Sequence, residues 1–184
     1  GMCVSGRDEH AFLGNACCGT RFAFCVVQQL ARHHQAVHYN QGDPFRAVMA
    51  EVDRIREITP FILVDFHAEA TSEKIGMAYF LDGKVSGVFG THTHVQTSDE
   101  RILEGGTAAI TDAGMTGPHD SIIGVKPKLA LQFVLSGRNV RFTPANSNIR
   151  IQGCIVDIDE VTAKAVSIER IDMQVDLNQE SRES

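Results

Sequence analysis

The chain lacks the features that would direct it to a membrane or to a nucleic-acid surface. Of its 184 residues 43% are hydrophobic, yet no apolar run approaches the roughly 18–20 residues that a membrane-spanning helix needs. The formal net charge is −6 and the acidic residues are spread along the chain, so the sequence predicts no basic face for a nucleic-acid duplex. The first residues show no basic-then-apolar signal pattern. We therefore expect a soluble, cytoplasmic protein that binds neither membranes nor nucleic-acid duplexes.

The cysteines lack the spacing of a structural zinc site. Their number is odd, two are adjacent, and none forms a C-x-x-C pair, which favours reduced thiols over a disulfide framework. A zinc cluster built from Cys17, Cys18 and His10 is disfavoured for the same reason.

Apolar periodicity predicts one α/β domain over residues 21–175. Two short apolar runs flank a helical segment, which indicates a β-α-β unit with parallel strands. Residues 1–20 carry no assignable element, and we expect the polar tail 176–184 to be disordered. The predicted elements are a strand from Arg21, a helix from Asp43 to about Thr59, a strand at 60–66, a helix at 72–81, a strand at 85–89, a strand pair within 102–112, a helix at 126–135, and antiparallel strands at 149–158 and 163–171.

Histidines follow both strands of the predicted β-α-β unit. The segment DFHAE at 65–69 ends the first strand, and GTHTH at 90–94 ends the second. Carboxyl ends of parallel strands meet at one edge of a sheet, where ligands bind. Imidazole suits zinc, iron or manganese, and a nearby carboxylate can orient each ring. The sequence therefore predicts a metal site with ligands His67, His92 and His94.

Longer blocks around these histidines resemble the YmdB-like branch of the calcineurin-like metallophosphoesterases. The blocks are DFHAEATSEK at 65–74, LDGKVS at 81–86, THTHVQT at 91–97 and TDAGMTGP at 111–118. The resemblance is dense from about residue 43 to 124 and looser to about 171. It implies the carboxyl-terminal part of a metallophosphoesterase sandwich, a mixed β-sheet with flanking helices.

The resemblance implies a phosphodiesterase that uses two iron, manganese or zinc ions on 2′,3′-cyclic nucleotides. His67 and His92 would bind one ion and His94 the other. Side chains that would surround the ions or line the substrate are Asp65, Glu69, Thr91, Thr93 and Thr116.

Three blocks that the family carries before these histidines cannot be placed before residue 43. They hold an early aspartate, a Glu-Asn pair and a Gly-Asn-His block, which supply the bridging carboxylate and the histidine that protonates the leaving group. No catalytic acid is therefore assigned. We expect the chain alone to hold at most one ion weakly, to show little or no hydrolysis, and to assemble into a homo-oligomer through the surface that the absent half would cover.

Two alternative functions remain at this point. The chain could be a non-catalytic metal-binding or oligomerisation remnant of such an enzyme. It could also be another metal hydrolase of the amidohydrolase kind, although too few strands follow the histidines for a barrel. The glycine-rich loop 114–124 either lines the crevice or is an ordinary connection. Glu73 and Lys74 are expected on a solvated helix face.

Overall fold

A computed structural model of the chain describes Arg21–Phe24, as backbone, and residues 43–175. The expectations for residues 1–20 and 176–184, the cysteine–histidine cluster included, lie outside the described residues. None of the helices within 43–175 is long and apolar enough to span a membrane. The elements are β1 (Arg21–Phe24), α1 (Pro44–Arg56), β2 (Leu63–His67), α2 (Thr71–Phe80), β3 (Gly87–Thr91), β4 (Arg101–Ile102), β5 (Ala108–Ile110), β6 (Gly117–Pro118), α3 (Pro127–Ser136), β7 (Ile149–Ile158) and β8 (Ala165–Gln174).

The first sheet is mixed, with strand order β2-β3-β5-β4. β2 and β3 run parallel and are joined by α2, so the predicted β-α-β unit is confirmed. β5 is parallel to β3 and antiparallel to β4, which forms the predicted strand pair. His67 pairs with Thr91 in the register of β2 and β3. Both strands therefore end at the same level of the sheet.

Helices α1 and α2 cover one face of this sheet. α1 begins where the sequence predicts, because the Asp43 carboxylate accepts a hydrogen bond from the Phe45 amide at 3.0 Å and Pro44 occupies the first turn. Its buried face, with Val48 and Val52, joins one core with Val64 of β2 and other residues of this layer. Residues of α2 lie in the same core, so this helix also packs against the sheet that carries the histidines.

A second sheet covers the other face. Its path is β1-β7-β6, with β8 paired to β7. Phe89 and Ile110 of the first sheet pack with Val156 and Ile158 of the second in one buried cluster. The result is an α/β fold with three layers, namely helices, mixed sheet and second sheet, and the expected sandwich with flanking helices is confirmed.

Candidate metal centre

His67 and His92 contact each other at the carboxyl edge of the parallel strands. Nε2 of His67 lies 3.1 Å from Nδ1 of His92. The ring centroids are 5.0 Å apart and the rings are inclined at 79°. The register of β2 and β3 produces this contact, because it places His67 opposite the residue that precedes His92.

The spacing of the two nitrogens fits two ligands of one metal ion. Imidazole nitrogens that bind one ion at about 2.0–2.1 Å lie roughly 2.9–3.4 Å apart in octahedral or tetrahedral coordination. The 3.1 Å separation of His67 and His92 falls inside that interval. The same separation also suits a hydrogen bond between the rings, in which one nitrogen keeps its proton.

His94 lies near the pair but is exposed. Its charge contributes to lowering the pKa of His67. Burial of the ring lowers that pKa most, and the charges of His92 and Lys74 add to the effect. The neutral form of His67, which is the form that binds a metal, is therefore favoured.

No three histidine, cysteine, aspartate or glutamate side chains within residues 43–175 are arranged to hold a metal ion. The described part of the chain thus brings two candidate ligands together.

A hydrogen-bond chain fixes the orientation of the His67 ring. The Thr91 hydroxyl donates to Oδ1 of Asp65 at 3.0 Å, so its oxygen is left to accept from Nδ1 of His67 at 3.1 Å. Nδ1 then carries the proton, and the Nε2 lone pair faces His92. Burial raises the pKa of Asp65 to about 6, against the opposing effect of the Thr91 hydrogen bond.

Lys74 is buried against Asp112, so its expected place on a solvated helix face is wrong. Its Nζ lies 3.2 Å from Oδ2 of Asp112, and the two side chains are only 2% and 1% exposed. Glu73 is exposed, as expected. Asp112 itself was not predicted as a site residue. The available signal was its place two residues past β5, the third parallel strand of this sheet, at the edge that carries the histidines.

The remaining predicted residues lie in different surroundings. The Thr93 amide donates to Oδ2 of Asp112 at 2.9 Å. Glu69 is exposed beyond the end of β2. Thr116 is exposed, and its hydroxyl donates to the carbonyl of Gln152 on β7 at 3.4 Å. Part of the glycine-rich loop is therefore attached to the second sheet, where Gly117 and Pro118 form β6.

Comparison with known proteins places these residues in a family. The family model described as YmdB-like protein matches residues 14–171. The chain is 49% identical over 129 residues to a 2′,3′-cyclic-nucleotide 2′-phosphodiesterase of Bacillus subtilis (strain 168), covering 70% of this chain and 49% of that protein.

Two solved structures are similar. A hypothetical protein from Thermus thermophilus has a TM-score of 0.66 at 40% identity and covers 73% of this chain and 52% of its own. A phosphatase from Mycoplasma pneumoniae has a TM-score of 0.67 at 31% identity and covers 81% and 53%. The chain spans about half the length of these relatives. The chain belongs to the YmdB-like protein family, together with relatives named for phosphodiesterase and phosphatase activity.

Proposed function

We propose that the histidine pair serves metal-dependent hydrolysis of phosphodiesters, with 2′,3′-cyclic nucleotides as the substrate class. The contact between His67 and His92 at the carboxyl edge of the sheet carries the proposal. The substrate class comes from the name of the Bacillus subtilis relative. Iron, manganese and zinc are the metals that suit imidazole nitrogens at such a site.

Each residue of the site has a role in this function. His67 and His92 would hold one ion and His94 a second. Bound metal supplies positive charge that offsets the charge of the phosphate and lowers the pKa of a water molecule. Asp65 and Thr91 keep the His67 proton on Nδ1, so that Nε2 is free to act as a ligand.

The described residues supply only part of this machinery. Two close dications need anionic ligands to offset their repulsion, and hydrolysis needs an acid for the leaving oxygen. A positioned acid contributes roughly 10²–10⁴-fold in rate. We propose that these groups come from outside residues 43–175 or from a second subunit. The domain proposed for residues 21–175 would then form one part of the active unit.

The test measures binding and turnover of a 2′,3′-cyclic nucleotide with the purified chain and Mn²⁺. We expect Mn²⁺-dependent retention of the nucleotide in equilibrium dialysis, and turnover of the nucleotide or of bis-p-nitrophenyl phosphate close to background. His92→Ala should abolish the retention, whereas Glu73→Gln, a change on the exposed surface of α2, should leave it unchanged.

Two results would contradict these expectations separately. Retention that survives in His92→Ala, or that needs no metal, removes the support for the proposed site. Robust turnover that is lost in His92→Ala supports the phosphodiesterase but overturns the expectation that the chain alone is incomplete.

A further inference from the structure

A buried ion pair between Lys74 of α2 and Asp112, which follows β5, lies close to the histidine site. The charges of both residues affect the pKa of His67, Lys74 lowering it and Asp112 raising it. A buried ion pair is weak evidence for stability, because desolvation of the two charges opposes their attraction. We therefore explain the presence of this pair by the hydrogen bonds that it makes to the backbone, not by a gain in stability.

The ion pair is attached to the backbone on both sides of His92. Nζ of Lys74 donates to the carbonyl of Thr91 at 3.4 Å. Oδ2 of Asp112 accepts from the amide of Thr93 at 2.9 Å, and Oδ1 accepts from the amide of Gly114 at 3.0 Å. The ion pair and the hydrogen bonds to Thr91 and Thr93 form a closed ring that spans His92, which we call the His92 clamp.

His92 has a backbone conformation that needs such support. Its φ is 137°, a value that residues with a side chain rarely adopt. Strained backbone persists only where the surrounding contacts determine it. The hydrogen bonds to the backbone of Thr91 and Thr93 supply those contacts. They do not involve the His92 ring, which contacts His67.

Gly90 provides the space through which Lys74 reaches the clamp. A β-carbon at Gly90 would lie 2.7 Å from Cδ of Lys74 and 1.9 Å from the carbonyl oxygen of Thr111. Any side chain at this position would displace the lysine stem. The absence of a side chain at Gly90 is therefore what leaves room for the buried lysine.

We propose that Lys74 and Asp112 are positioning residues that hold His92 against His67 for metal binding. The metal part of this inference rests on the proposed function, whereas the positioning part rests on the contacts alone. Neither residue needs to touch the ion or the substrate. The pair acts through the backbone of residues 91–93.

The test uses the double variant Lys74→Met/Asp112→Asn, which leaves no buried charge without a partner. It removes the donor to the Thr91 carbonyl, and it leaves one acceptor oxygen at position 112 for the backbone amides of Thr93 and Gly114. In the metal-free protein, we expect the nuclear Overhauser effect between the rings of His67 and His92 to disappear and exchange of the Thr93 amide to accelerate. By calorimetry, Zn²⁺ affinity should fall by about 10- to 100-fold.

Ser86→Ala is the matched control. Ser86 is buried, and its hydroxyl donates to the carbonyl of Ala163 at 2.7 Å, so the substitution removes a buried hydrogen bond outside the clamp. It should retain the ring contact and the Zn²⁺ affinity. If the double variant fails to fold, Lys74→Gln/Asp112→Asn is the second variant, because it is also uncharged and its two amide side chains can hydrogen-bond to each other. It too should weaken Zn²⁺ binding, since the shorter glutamine does not reach the Thr91 carbonyl.

The outcomes separate the two proposals. A double variant, with methionine or glutamine at position 74, that keeps the ring contact and the Zn²⁺ affinity of the wild type overturns the positioning role. A wild-type chain whose Zn²⁺ binding does not depend on His92 overturns the metal function. In that case, loss of the ring contact in the double variant but not in Ser86→Ala would still support the positioning role of Lys74 and Asp112.

Discussion

Asp65 places a carboxyl group in a partly buried position beside the histidine pair. Its Oδ1 accepts the hydrogen bond from Thr91, and its Oδ2 has no hydrogen-bond partner within the described part of the chain. Burial therefore raises the pKa of Asp65 to about 6, and the charge of Asp112 adds to the rise. Neutral pH lies above this pKa, so the carboxyl is mainly ionised there, and the ionised form is the better acceptor for Thr91 and so for the orientation of His67.

Asp65→Asn should remove the part of the pH dependence of stability that comes from this carboxyl. The folded protein binds more protons than the unfolded chain between pH 3.8 and about 6, so the contribution of Asp65 to stability falls as pH rises through that window. Asparagine does not titrate. The free energy of unfolding of the variant relative to wild type should rise from pH 4 to pH 6 and level off roughly 2–3 kcal/mol higher.

Denaturant titrations at four pH values between 4 and 7 measure this difference. Asp159→Asn is the control with the opposite sign, because hydrogen bonds from Thr162 lower the pKa of that exposed carboxyl. A difference between Asp65→Asn and wild type that does not change with pH would show that burial does not raise the pKa of Asp65.

Among the elements, those with apolar periodicity were the ones that the sequence predicted. The apolar runs before His67 and His92 indicated β2 and β3, although β3 begins at Gly87 instead of Val85. Their parallel register then brought the two histidines together, as expected from the β-α-β pattern. β6 was not predicted, since its two residues are Gly117 and Pro118, which disfavour strands.

The His92 clamp could not be predicted from the sequence, for a different physical reason. A lysine on an amphipathic helix is ordinarily solvated, and nothing local marks Lys74 as buried. Its partner, Asp112, lies 38 residues later along the chain. Only the packing of α2 against the sheet brings the two charges together.

Gly90→Ala should disrupt this packing on β3. The added β-carbon would meet the Thr111 carbonyl oxygen and the Lys74 stem at distances that no packed structure tolerates. We expect a loss of about 1–3 kcal/mol in the free energy of unfolding, together with loss of the contact between His67 and His92. Denaturant titration and the ring nuclear Overhauser effect measure the two consequences.

Gly76→Ala on α2 is the matched control. A β-carbon there would lie 3.9 Å from Phe45, which is ordinary van der Waals contact. Alanine is favoured over glycine in a helix by about 0.5–1 kcal/mol, so this variant should be as stable as wild type or more stable. Equal effects of the two substitutions would contradict the close packing at Gly90.

On the scale of the whole molecule, α3 presents an apolar surface. Ala130 is its one buried residue among those described, while Leu131, Val134 and Leu135 are 50%, 73% and 83% exposed. Large exposed apolar patches favour association. The chain spans about half the length of its relatives, and self-association remains a prediction.

Sedimentation velocity over a range of concentrations tests this prediction. We expect the wild-type chain to associate and the variant Val134→Lys/Leu135→Lys to associate less. Val161→Lys changes a residue that is 93% exposed in the turn between β7 and β8, and it should behave as wild type. A single sharp monomer boundary for the wild type at high concentration would count against association through α3.

We propose that His67 and His92 are two ligands of one metal ion, and a Co²⁺ titration followed by visible absorption can disprove this. The wild-type chain should develop ligand-field bands as Co²⁺ is added. His67→Ala and His92→Ala should each lose the same bands. His119→Ala, in which the lost ring contacts the Met115 carbonyl, should retain them. Bands that persist in either of the first two variants, or that disappear equally in His119→Ala, would contradict the claim.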